Sequence, residues 1–176
     1  AIESVHGIPG RMEKIEAGQS FTVIVDFAHS PDAMEKIYQT LKPVAKGRII
    51  AVFGATGERD KTKRPIMGAL AGRFADYVIV TNDDPYREDP NQIIEQVAEG
   101  VRRGAPQDAP KKEGENFWKI PDRREAIVRA FAIAERNDVV LLMGKGAEHV
   151  QVIGTKKIPW DDRQVARELL RGLKKR

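Results

Sequence analysis

The stretch FTVIVDFAHSPDAMEKIYQTL, residues 21–41, changes its hydrophobic period halfway along. The opening FTVIVDF is almost continuously apolar and rich in β-branched residues, the pattern of a strand covered on both faces in a parallel sheet. Beyond Ser30, the residues Met34, Ile37, Tyr38 and Leu41 recur at the i, i+3, i+4, i+7 spacing of one helix face. Ser30 followed by Pro31 marks the start of that helix, because serine caps an open backbone N–H and proline has none to leave unpaired. A buried strand, a polar turn and an amphipathic helix make one unit of an α/β sheet.

The same unit recurs along the chain. RIIAVF (48–53), YVIVT (77–81) and DVVLLM (138–143) read as further buried strands. Helical spacing reappears at Met67, Leu70, Ala71 and Phe74, at Ile94, Val97, Ala98 and Val101, at Ile127, Ala130, Phe131 and Ala134, and at Ala166, Leu169, Leu170 and Leu173. Asp89 before Pro90, together with Asp122 and Asp161, supplies the start signals. GAPQDAPKKEGEN (104–116) reads as an exposed loop, and VQVIGTKKIPW (150–160), alternating around Gly154, as a hairpin. The expected fold is a single α/β domain over residues 1–176. It is Rossmann-like: an open, mostly parallel sheet with helices on both faces, right-handed crossovers and a short C-terminal hairpin.

Composition narrows the function. The chain has 176 residues, 41% of them hydrophobic, and no cysteine, which excludes a disulfide scaffold, a thiolate metal site and a cysteine nucleophile and suits a reducing cytoplasm. VVLLM (139–143) is far shorter than the ~20 apolar residues of a membrane-spanning helix, so no membrane crossing is expected. The net charge of +4 is spread over RDKTKR (59–64), two RR pairs and a basic tail, without an aromatic-interleaved stripe, so nucleic acid is not an expected partner. The chain opens on Ala1 with neither an initiator methionine nor a signal segment, and reads as a piece of a longer protein.

Ligands of open α/β sheets bind beyond the carboxyl ends of the strands. There the chain places Asp26, His29, Ser30 and Asp32 after the first strand and GATGERDKTKRP (54–65) after the second. Asp83 and Asp84 follow the third, and GKGAEH (144–149) the fourth. The phosphate-loop spacing G-x-x-x-x-G-K-[ST] and the dinucleotide spacing G-x-G-x-x-G are both absent. Arg59, Lys61, Lys63 and Arg64 would therefore grip an anion by their side chains or stand as solvated surface. Three histidines without ligand spacing make no zinc site, and no metal site of the chain's own is expected. The residues alone describe a ligand-binding α/β domain.

Taken in order, GIPGRMEKIEAG, VDFAHSPDAMEK, FGATGERDKTKRPIMGALA, TNDDPYREDP, MGKGAEHVQVIG and KIPWDDRQVARE resemble the C-terminal domain of the Mur ligases, most of all the branch that adds the third residue of the peptidoglycan stem peptide. The resemblance implies a cytoplasmic three-domain enzyme using ATP and magnesium to activate the carboxylate of a UDP-N-acetylmuramoyl dipeptide as an acyl phosphate, which the amine of an amino acid then attacks. The N-terminal UDP-binding domain and the central ATPase domain, with its phosphate loop and magnesium ligands, are not in this sequence. Carried over by motif, Arg11 is the catalytic arginine reaching the ATP phosphates, Asp26 lies near the ribose, and His29 shares that nucleotide-facing turn. Arg59 grips the α-carboxylate of the incoming amino acid. Asp83, Asp84, Pro85, Tyr86, Arg87, Gly144 and Glu148 surround its far end.

Where diaminopimelate-adding relatives read D-N-P-R, this chain has Asp83, Asp84, Pro85 and Tyr86; where they read G-K-G-H-E, it has Ala147 before Glu148. An ammonium group would pair with Asp84 and Glu148, whereas a distal carboxylate would meet like charge unless Arg87 swung in. The expected substrate is thus a diamino acid, lysine-like in preference to diaminopimelate. An Asx turn before Pro85 is the structural alternative for Asp83 and Asp84. For the whole domain, a noncatalytic nucleotide or nucleotide-sugar binding module is the alternative.

Overall fold

Strict alternation of buried side chains along the central strands builds two cores, one on each side of a single sheet. The computed structural model describes residues 8–173, so the first seven residues and the last three of the basic tail lie outside the described residues. In chain order the elements are β1 (Glu13–Ile15), β2 (Thr22–Asp26), α1 (Pro31–Leu41), β3 (Ile49–Phe53), α2 (Lys63–Phe74), β4 (Tyr77–Val80) and α3 (Pro90–Gly104). They continue with β5 (Phe117–Lys119), α4 (Arg123–Ile133), β6 (Val139–Met143), β7 (Val150–Ile153), β8 (Lys156–Pro159) and α5 (Asp162–Leu173).

The six-stranded sheet runs β1-β2-β6-β3-β4-β5. All its pairings are parallel except β1 against β2, where Glu13 faces Val25 across an antiparallel edge. Ile49, Ala51 and Phe53 of β3 join Leu141 and Met143 of β6 in a core closed by α1, α2 and α3. Ile50 and Val52 face the other way and meet Val140, Leu142, Ala126, Ala130, Val165 and Leu170, under α4 and α5. Each fully buried Val, Ile or Leu here stabilises the fold by about 1.5–3 kcal/mol relative to exposure, which is why every residue of β3 and β6 is apolar. The expected open, mostly parallel sheet with helices on both faces and a terminal hairpin is what forms. Strands β1 and β5, three residues each, were too short to leave a periodic signal.

Helix starts follow the capping residues: the side chains of Ser30, Asp89 and Asp122 accept from the backbone of Ala33, Asn91 and Glu125. The α1 face is buried as its spacing predicts. On α2 the predicted stripe packs inward, with Met67 and Ala71 buried and Leu70 and Phe74 half-buried against the core, but the spacing does not show that Gly68 and Gly72 are buried as well. The reason is close backbone approach: a methyl built on Gly68 would fall on the carbonyl of Val97, and one on Gly100 would fall on that of Pro65. Two helices in contact through glycine need no large apolar residues between them. At the ends of the predicted stripes, Leu173 is exposed and Ala134 lies just beyond α4.

The β7–β8 hairpin is tied to the loop after β4. Gln151 Nε2 donates to the Asp83 carbonyl at 2.8 Å, and the Val152 N–H donates to Asp84 Oδ1 at 2.8 Å. Tyr86 completes the seam, donating its N–H to the Val152 carbonyl at 3.3 Å and accepting from Gly154 at 2.7 Å. The hairpin thereby becomes one wall of the region beyond the strand ends.

Candidate functional site

Parallel pairing of β2, β6, β3 and β4 brings the turns that follow them to one edge of the sheet. The turn after β6 decides the geometry. Gly144 adopts φ +111°, open to glycine and strained for any other residue, and a side chain built there would meet Asp83 Oδ2 at 2.7 Å. The chain then folds Lys145 back beneath the loop after β4, where its side chain is fully buried. Its Nζ lies 2.9 and 3.0 Å from the Asp84 carboxylate oxygens, 2.9 Å from Glu148 Oε2 and 3.6 Å from Asp83 Oδ1.

The expectation that Asp84 stands open to a ligand's ammonium is corrected by this contact. Both Asp84 oxygens are held by Lys145, and Oδ1 accepts the Val152 N–H besides. The charge argument for a lysine-like substrate assumed unpaired acids, and Lys145 already answers them. It also fills the space a metal would need: oxygens of Asp83, Asp84 and Glu148 lie within 4.8 Å of one another, around the Lys145 ammonium. Burial opposes charge on Lys145, but the attraction of Asp83, Asp84 and Glu148 prevails and holds its pKa above the ordinary lysine value.

Beside this cluster opens a cavity of about 170 Å³. Asp83, Asp84, Gly144 and Glu148 line it, with Thr56 and Arg59 from the loop after β3 and with Phe27, His29 and Tyr86. Arg59 is exposed and meets no carboxylate among the described residues, so its guanidinium is available to an anion. Asp83 is buried, and among the described residues no donor bonds its carboxylate. Burial raises the Asp83 pKa against the pull of Arg123 and Lys145. Tyr86 sits in left-handed backbone, φ +49°, costly for a residue with a side chain and sustained here by the hairpin seam.

Two residues expected at the far end do not reach the cavity. Arg87 is exposed on the outer side, its N–H 3.4 Å from Glu58 Oε1, and Pro85 is buried with its carbonyl closed over Gly57. Neither Asp83 nor Asp84 forms an Asx turn; the Asp84 carboxylate goes to the hairpin instead.

A second groove, of about 360 Å³, is lined by Pro9, Gly10, Arg11, Phe27, Ala147 and Glu148. The exposed Arg11 guanidinium stacks over the Phe27 ring at 4.7 Å. Asp26 fixes the strand end and the Arg11 segment together: its oxygens accept the N–H groups of Met12 and Ala28, each at 2.7 Å. His29 is exposed, with Nδ1 2.8 Å from the Phe27 carbonyl and its ring edge-on to Phe27. The groove and the cavity share Phe27 and Glu148 as walls, so an anion on Arg11 and an amine at Glu148 would be neighbours. In a larger groove of about 450 Å³, between the hairpin and α5, the opposite charges already face one another, Arg124 with Glu168 at 3.3 Å and His149 with Asp161 at 3.2 Å.

Beneath the site Arg123 and Asp162 form a fully buried pair, with Nε–Oδ1 2.8 Å and Nη2–Oδ2 2.6 Å. The guanidinium also donates to the carbonyls of Asn82 and Met143, fastening the ends of β4 and β6 to each other, and Trp160 Nε1 donates to Asp162. Sequence reading missed Arg123, Asp162, Phe27 and the side chain of Lys145. Only Lys145 left a usable sign, a lysine between two glycines at a strand end in a chain with paired acids elsewhere.

The family model of the Mur ligase glutamate ligase domain matches residues 10–146. This chain belongs to the Mur ligase family. It is 50% identical over 170 residues to a UDP-N-acetylmuramyl-tripeptide synthetase of Roseiflexus, covering 97% of this chain and 32% of that protein. Among solved structures it resembles a UDP-N-acetylmuramoyl-L-alanyl-D-glutamate--2,6-diaminopimelate ligase, with 35% identity, a TM-score of 0.83, and coverage of 97% of this chain and 33% of that one. A Yersinia pestis folylpolyglutamate synthase/dihydrofolate synthase complexed with AMPPNP and a manganese ion shares the fold at 18% identity and a TM-score of 0.59, covering 96% of this chain and 32% of that one. This Mur ligase domain thus spans about a third of the relatives it matches. Among its described residues no helix is long and apolar enough to cross a membrane.

Proposed function

We propose that this domain supplies the amino-acid pocket of a cytoplasmic, ATP-dependent ligase that adds the third residue to a UDP-N-acetylmuramoyl dipeptide in peptidoglycan synthesis. The added residue is a diamino acid, lysine-like or diaminopimelate. The reading rests on one observation above all: the Arg11 groove and the Arg59–Glu148 cavity meet along a shared wall. Arg59 suits the α-carboxylate, because a guanidinium fork pairs with two oxygens. Glu148 and Asp83 face the amino groups, and Arg11 faces the transferring phosphate.

The residues fit a nucleotide phosphate at Arg11, whose guanidinium is exposed and steadied on Phe27. Asp26 contributes there by positioning, since its oxygens hold the Arg11 segment; His29 stands at the same turn. They do not fit a magnesium ion, because the one acidic cluster with suitable spacing among the described residues encloses Lys145. Magnesium ligands and the phosphate loop therefore belong to the central domain, the partner in the same ligase. ATP bound there would activate the dipeptide carboxylate, and this domain would bring the amine and Arg11 to it while excluding water.

In the intact ligase, Arg11→Ala should lower kcat by roughly 10²–10³, as loss of a donor to transferring charge commonly does, with little change in amino-acid KM. Arg59→Ala should chiefly raise amino-acid KM. An unchanged kcat in the first variant would overturn the assignment. The domain alone should bind amino acid without hydrolysing ATP.

A further inference from the structure

We propose that Lys145 determines how the cavity discriminates between a side chain ending in a lone ammonium and one ending in an ammonium beside a carboxylate. The inference rests on the amino-acid reading of the cavity and deepens it. Asp83, Asp84 and Glu148 carry three negative charges within 4.8 Å, a spacing fit for a ligand cation, yet the position is filled by the protein's own ammonium. Lys145 cannot vacate that position cheaply, because its side chain is fully buried and three carboxylates surround it.

The three acids are consumed unequally. Asp84 gives Lys145 both oxygens, one of which also accepts the Val152 N–H, and is the acid most engaged by the protein itself. Glu148 gives Lys145 one oxygen at 2.9 Å, remains 41% exposed and lines the cavity. Asp83 stands at the longer distance of 3.6 Å and lines the same wall. A ligand amine therefore meets Glu148 and Asp83 in front of a fixed positive charge. Removing that charge makes the pocket more receptive to a cation and more hostile to a carboxylate. Removing the charge of Asp84, which Lys145 now balances, does the reverse.

Two variants of opposite charge effect test this in the chain itself. The probes are lysine and meso-2,6-diaminopimelate, titrated into isotopically labelled chain and followed by NMR at the amides of Gly144, Gly146 and Glu148, a method that reads weak binding. Relative to the unaltered chain, Lys145→Met should shift the affinity ratio roughly tenfold toward lysine, and Asp84→Asn roughly tenfold toward diaminopimelate, the size of adding or removing one charge at a partly desolvated site. A merely structural lysine would weaken both ligands alike and leave the ratio unmoved. The amide spectrum reports folding, and if Lys145→Met does not fold, Asp84→Asn decides alone. Ratios within about twofold of the unaltered chain, or shifts in one direction for both variants, overturn the role of Lys145 and leave the amino-acid pocket standing. If the unaltered chain binds neither probe, the amino-acid reading fails and this inference falls with it.

Discussion

The ammonium of Lys145 reaches both carboxylate oxygens of Asp84, at 2.9 and 3.0 Å, across 61 residues of sequence. The same carboxylate accepts the N–H of Val152, so a single acid joins the turn after β6, the loop after β4 and the hairpin. Asp84→Ala should cost about 3–5 kcal/mol in urea unfolding, the range for breaking a buried pair. It should also speed hydrogen exchange at Val152 before exchange rises elsewhere. Protection of Val152 unchanged in the variant would show that the hairpin is held by other contacts.

The Arg123–Asp162 pair offers a sharper separation of charge from packing. Arg123→Met should lose about 3–5 kcal/mol, since it leaves Asp162 buried without its partner. The double variant Arg123→Met, Asp162→Leu should recover most of that loss, because a buried apolar pair carries no desolvation cost. Equal destabilisation of single and double variants would instead place the importance of Arg123 in its bonds to the Asn82 and Met143 carbonyls.

At the α2–α3 contact, two effects of opposite sign compete. Gly68→Ala improves helix propensity by about 1 kcal/mol. It also drives a methyl into the Val97 carbonyl, and overpacking of this kind costs about 1–3 kcal/mol. Because the neighbour is backbone, which cannot rotate away, the steric cost should win. Thermal denaturation should show a lower Tm, and a raised Tm would mean that the helices separate easily.

Acid stability should carry the signature of Glu88. Its hydrogen bond from Arg64, seconded by the Glu58 backbone N–H, draws its pKa from 4.5 down to about 2. A carboxylate depressed in the folded state stabilises fully above its unfolded value and loses that contribution as pH falls through the folded one. The stability difference between the unaltered protein and Glu88→Gln should thus be constant above pH about 5 and shrink between about 4.5 and 2. A difference independent of pH across that window would place the Glu88 pKa near its ordinary value.

By itself the sequence determined the layered fold. Continuous apolar runs at residues 21–27, 48–53, 77–81 and 138–143 can be buried only as covered strands, and helix faces such as Met34–Leu41 follow from periodicity, a local property of the chain. It also determined which edge carries the chemistry, because parallel strands put all the polar turns at their carboxyl ends. The state of those polar groups was decided elsewhere. Only the glycines around Lys145 drew a reading until tertiary packing folded the lysine under Asp84; Arg64 read as an anion grip or solvated surface and Arg123 as surface, whereas both are buried on carboxylates of the chain itself, Glu88 and Asp162. Charge pairing depends on distances between segments remote in sequence and on the exclusion of water, neither of which any local pattern encodes. The two acids after β4 and the lysine after β6 are visible in the sequence; that they neutralise one another is a property of the sheet that places β4 and β6 on either side of β3.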